Sequence, residues 1–167
     1  MLARHGADRV DRVVLVASTT PGPPAAQQPD AAALDAQLAG LRADKPAYLR
    51  AGVPGFFGTP PAASAETVDW AVALAARASL AASVGLMETL ATSDVAADVA
   101  ACRVPSLVVH GDADTSASLE LTGRPTAALL PDGRLERYAG APHGLPLTHG
   151  DRLAEDVLAF VRATAPV

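Results

Sequence analysis

The sequence predicts an α/β chain, a parallel sheet with helices on its faces, on three observations. The runs RVVLVAS at residues 12–18 and VPSLVVHG at 104–111 are short, continuous and apolar, as strands buried on both faces require. The text between and after them has helical period. The order from residue 104 onward is strand, helix, strand, helix, and that alternation belongs to parallel sheets.

The 167 residues suit one domain. Half of them are hydrophobic but only 4% are aromatic, so much of the apolar content is alanine, which favours helices and buries little area per residue. With 13 basic against 18 acidic residues the net charge is −5, which argues against nucleic acid as a partner. Lys45 is the one lysine, and the other basic residues are arginine. The single cysteine, Cys102, can form neither an internal disulfide nor a cysteine zinc site, and reads as a small buried hydrophobe. The opening MLARHGADRV has no apolar core of leader length and no run approaches a membrane span, so the expectation is a cytoplasmic protein without membrane contact.

In chain order, strand 12–18 ends in TTPGPP, and TTPGPPAAQQPDAAA reads as a mobile hinge. Residues 25–103 are alanine-rich and helical, broken by RAGVPGFFGTPP, whose glycines and prolines forbid a continuous helix. Ser64 can cap one helical piece, with Glu66 in its first turn. The second strand runs into the turn GDAD. ELTGRPTAALL is helical, starting near Pro125 or tolerating it in the first turn, and GRLERYAG gives a third strand. The last helix is expected within THGDRLAEDVLAFVRA, with Thr148 as N-cap and Asp151 completing a capping pattern. Its Leu153, Val157, Phe160 and Val161 lie on one face. No internal repeat is present.

Ligands of parallel α/β sheets bind beyond the carboxyl ends of the strands. Asp112 and Asp114 follow the strand ending at His110, and His143 follows the strand ending near Tyr138, so all reach the same rim. An aspartate bonded to one imidazole nitrogen fixes the tautomer and leaves the other nitrogen as a base, which makes two-thirds of a nucleophilic triad. Pro142 and Gly144 read as holding His143 on a mobile, reachable loop. Asp112 reads as a turn former and His110 as a brace of the same turn. Trp70, Phe56 and Phe57 read as packing among the helices rather than lining a substrate pocket, although apolar helices over the crevice would themselves form a pocket wall, and His5 reads as exposed at a helix end. His149 is too isolated in spacing to make a metal site with Asp112 or Asp114.

VPSLVVHGDAD followed by LERYAGAPHGLPLTHGDRLAEDVLAFV resembles the C-terminal half of the α/β-hydrolase superfamily, in particular the branch of cofactor-free (non-haem) chloroperoxidases and aryl esterases. ARHGADRVDRVVLVAS resembles the helix end and strand that follow that family's nucleophile, and GFFGTPP with ETVDW its cap, so residues 19–103 become a helical cap insertion. The resemblance implies about three parallel strands with flanking helices. Asp114, the second aspartate of H-G-D-x-D, becomes the acid and His143 of P-H-G the base, 29 residues apart. It implies a small ester substrate, or an acyl group and peroxide, with no cofactor and no metal. TSASLEL at 115–121 departs from the family's hydrophobic, proline-bearing turn. The family's G-x-S-x-G elbow would lie ahead of Met1. AASVG around Ser83 matches a relaxed elbow pattern, but it is helical on both sides and reads as coincidence. Two expectations follow: a serine hydrolase whose coding sequence begins upstream, or a non-catalytic truncated relic or half-domain that self-associates through an exposed strand edge.

Overall fold

The computed structural model describes residues 6, 10–20 and 31–163, so the expectations for His5 and most of the hinge at 21–30 lie outside the described residues. The apolar runs form strands where expected. Strand β1 (Val13–Val16), β2 (Ser106–Gly111) and β3 (Gly133–Tyr138) make one parallel sheet in the order β1-β2-β3. Val13 pairs with Ser106 and Val16 with Val109; Ser106 pairs with Gly133 and Gly111 with Tyr138. Every residue of β2 is buried, because a central strand covered on both faces has no side to give to water.

Strand alternation sends neighbouring side chains to opposite faces. Leu107 and Val109 of β2 join Ala17, Tyr138, Ala141 and Leu145 on one face, packed with Leu153 and Phe160. Val108 joins Val99, Cys102 and Leu130 on the other, packed with Val13, Leu15 and Leu135. Cys102 is the small buried hydrophobe its isolation suggested.

Between β1 and β2 run α1 (Ala31–Ala43), α2 (Lys45–Gly52), a 3-10 helix (Val53–Phe57), α3 (Ala65–Ala76), α4 (Leu80–Thr92) and α5 (Ala96–Ala100). The Gly/Pro-rich stretch breaks the helical run as expected, the 3-10 turn standing where an α-helix cannot continue. Side-chain oxygens of Asp44, Ser64 and Ser79 cap α2, α3 and α4, accepting from Ala47 N (3.0 Å), Thr67 N (3.1 Å) and Ala82 N (3.0 Å). Val53, Phe57 and Val72 form a small core of their own among these helices. No single described helix is long and apolar enough to cross a membrane.

After β2, α6 (Gly123–Leu129) accommodates Pro125 in its first turn, where a missing N–H is harmless. The expected cap at Thr148 is not made. Pro146 starts a short helix, α7 (Leu145–Thr148), so the chain is already helical before Thr148. The final helix α8 (Gly150–Arg162) begins after His149 with no side-chain cap, and the Thr148 hydroxyl bonds to His149 Nδ1 instead (2.8 Å).

Candidate functional site

Parallel pairing of β2 with β3 delivers their following turns to one rim, and backbone bonds lock the turns together. Asp112 N donates to Tyr138 O (3.1 Å) and Ala113 N donates to Ala141 O (3.1 Å). Gly111 permits this approach, since a Cβ there would stand 2.0 Å from Ala141 O. Asp112 completes the clamp, its Oδ1 accepting from Gly140 N (2.6 Å) and its Oδ2 from Arg137 (3.0 Å). It is a turn former whose side chain reaches across to the neighbouring strand and turn.

Within this frame Asp114 meets His143, with Oδ2 of the carboxylate 2.8 Å from Nδ1 of the ring. The Asp114 side chain is fully buried, and its Oδ1 accepts from Ser116 N (2.8 Å) and Ala117 N (2.7 Å). Burial pushes this carboxyl up, but the bonds from His110, His143 and the Ala117 amide outweigh burial and hold it well below the ordinary carboxylate range. The charged form is the one that this ring of donors fits.

The His143 ring is one-quarter exposed, and no described residue bonds to its Nε2. The Phe56 ring stands edge-on to it, centroids 5.0 Å apart. Gly144 N donates to Phe56 O (2.5 Å), and a Cβ on Gly144 would meet the Phe57 ring at 2.8 Å. The expectation of a mobile loop is therefore corrected: the histidine turn is braced by the 3-10 helix, because Gly144 lets the Phe56–Phe57 backbone close on it. Of the three aromatics expected to pack among helices, only Phe57 is buried there; Phe56 is 41% and Trp70 54% exposed.

His110 is fully buried at the end of β2 and braces the turn as expected, Nε2 donating to Ala117 O (2.6 Å). It also stands 3.3 Å from Asp114 Oδ2, a contact that sequence reasoning missed. Burial lowers the His110 pKa, but the Asp114 carboxylate and Ala117 carbonyl overcome it and raise the pKa above the ordinary histidine value. Ser83 lies inside α4 with its hydroxyl on Ser79 O (3.1 Å), so no strained turn exposes it. His149 stays apart from both aspartates' carboxylates, and among the described residues no group of three His, Cys, Asp or Glu side chains could hold a metal.

No family model matches the chain. The chain is 26% identical over 171 residues to a non-haem chloroperoxidase of Kitasatospora aureofaciens, covering 96% of this chain and 62% of that one. Over 61 residues, 36% of this chain and 22% of the relative, it is 39% identical to a bifunctional esterase/perhydrolase of Acinetobacter calcoaceticus. Among solved structures it superposes on a bromoperoxidase from Bacillus anthracis with TM-score 0.90 and 25% identity, covering 97% of this chain and 62% of that one. An esterase from Exiguobacterium antarcticum shares the fold at TM-score 0.84 and 20% identity, over 97% of this chain and 61% of its own. The chain thus spans about three-fifths of the chloroperoxidase and the bromoperoxidase. Fold and strand-end turns agree that this chain has the fold of the C-terminal part of an α/β-hydrolase, and in sequence and structure it is similar to non-haem haloperoxidases and esterases.

Proposed function

We propose that the chain supplies the base, His143, and the orienting acid, Asp114, of a serine-type ester hydrolase. The observation that carries this reading is the asymmetry of the His143 ring: Nδ1 is tied to a buried carboxylate while Nε2 has no described partner. A carboxylate can only accept, so Nδ1 carries the proton and Nε2 keeps a lone pair. That nitrogen takes the proton of a serine hydroxyl as the oxygen attacks an ester carbonyl, and Asp114 stabilises the imidazolium formed. His143 then returns the proton to the departing alkoxide, and water activated by the same nitrogen releases the acid. Hydrogen peroxide in place of water releases a peracid. Every proton moves between side chains and substrates, with no metal or cofactor required.

The serine and its oxyanion donors are assigned to the part of the relatives' length outside the match. A non-catalytic relic or half-domain is the less favoured reading, because sheet packing has no use for a buried carboxylate bonded to a partly exposed imidazole. The test is hydrolysis of an aryl acetate by the product of the full reading frame that contains residues 1–167. His143→Ala is expected to lower kcat/KM about 10⁴-fold. Undiminished turnover in that variant overturns the proposal.

A further inference from the structure

The donor set of Asp114 includes one group that the proposed chemistry does not use. His110 is fully buried, and its Nε2 faces two acceptors, Ala117 O at 2.6 Å and Asp114 Oδ2 at 3.3 Å. Its Nδ1 is buried with no hydrogen-bond partner. That edge of the ring lies against Gly123, where a Cβ would stand 2.8 Å from His110 Cγ and Nδ1. The start of α6 therefore seats the imidazole tightly without bonding to it. A leucine would fill the same buried site without an unsatisfied Nδ1 but would forfeit the bond to Ala117 O, so packing alone does not account for a histidine here.

What the histidine adds, besides its bond to Ala117 O, is an N–H donor 3.3 Å from the Asp114 carboxylate. Since Nε2 faces only acceptors, it carries a proton whether the ring is neutral or charged. We infer that His110 is a positioning residue of the hydrolase site: its buried Nε2–H anchors Asp114 Oδ2 in the orientation that receives His143 Nδ1–H. Ser116 N and Ala117 N hold Oδ1, and His110 stands beside Oδ2 at 3.3 Å as a second donor next to His143. Without it Oδ2 has one donor, and the carboxylate can turn about its Oδ1 bonds and lengthen the 2.8 Å contact that fixes the His143 tautomer. The inference rests on the proposed role of His143 for its kinetic consequence, but not for its structural one.

The experiment uses the full reading frame with two replacements, His110→Leu, which keeps bulk and removes the donor, and His110→Gln, whose amide N–H reaches toward the former Nε2. Two quantities are read: kinetics on an aryl acetate, and the low-field proton resonance of His143 Nδ1–H. Losing one hydrogen bond to a charged group is expected to lower kcat about ten-fold in His110→Leu at unchanged KM. The resonance should move upfield, and His110→Gln should restore most of both. Equal kcat in all three proteins with an unmoved resonance overturns the inference. So does a loss in which His110→Gln is no better than His110→Leu, since that is the mark of a packing role. If the wild type hydrolyses no ester, the proposed function fails, and the resonance alone still decides the His110–Asp114 coupling. If His110→Leu does not fold, the His110→Gln protein decides by keeping or losing the wild-type resonance and kcat.

Discussion

Asp114 joins stability to chemistry through one side chain. Its carboxyl has a folded-state pKa below the ordinary value of 3.8, so the unfolded chain takes up its proton first as the pH falls. The stability it contributes is whole above about pH 4 and is lost as the pH drops toward the folded value. Asp114→Asn removes this dependence, and it also turns an amide N–H toward the donors His110 and His143, at a cost of about 1–3 kcal/mol at neutral pH. The wild type is therefore expected to melt higher than the variant at neutral pH and to lose that lead progressively as the pH falls below about 4, as thermal melts through the acid range would show. Parallel melting curves at every pH would contradict it. That both aspartates and His143 reach one rim was legible in the sequence because consecutive parallel strands deliver their turns there, whereas the choice of Asp114 came from the resemblance of H-G-D-x-D and P-H-G to a known family. The His110 contact was not, because it depends on how far the turn from residue 111 to 114 folds back over the strand end. Phe56 was misread for a similar reason: its place beside His143 comes from a long-range bond, Gly144 N to Phe56 O, that no local pattern encodes.

At the scale of elements, the decisive junction is between the turns after β2 and β3. Gly111 is required there by space: an added Cβ would stand 2.0 Å from a backbone oxygen, and no rotamer change relieves a backbone clash. Gly111→Ala is expected to destabilise the fold by about 3 kcal/mol in denaturant unfolding, by pushing Ala141 away. It should also lower activity, since residue 141 leads directly into Pro142 and His143. A variant of wild-type stability would show that the turns are not packed as described. The strands themselves were legible from continuous apolar runs, and the cap at Ser64 from its place ahead of a helical run. The start of the last helix was misread because THGD has the form of a capping sequence, while Pro146 had already begun a helical turn upstream.

On the scale of the whole molecule, two cores lie on opposite faces of the sheet and a third lies among the helices between β1 and β2. The 3-10 helix ties that third core to the histidine turn through Phe56 and Phe57, so the helical segment sits beside the proposed base as well as stabilising itself. The alternation of strand and helix made the parallel sheet legible, whereas the division into separate cores was not, since alanine-rich helices show little contrast between faces. In this architecture two neighbouring aspartates share one turn and divide the work: Asp112 clamps the turns together at the surface, and Asp114 holds His143 from within. Replacing either by asparagine removes the same charge from the same place, so a general electrostatic effect would strike both alike. The most direct measurement is kcat/KM on an aryl acetate for Asp114→Asn and Asp112→Asn in the full reading frame. A loss of about 10⁴-fold for Asp114→Asn, where the amide cannot hold the productive tautomer, is expected beside a loss within about ten-fold for Asp112→Asn, whose amide oxygen still accepts from Gly140 N. Equal losses, or a larger loss at Asp112, would contradict the assignment of Asp114 as the acid that orients His143.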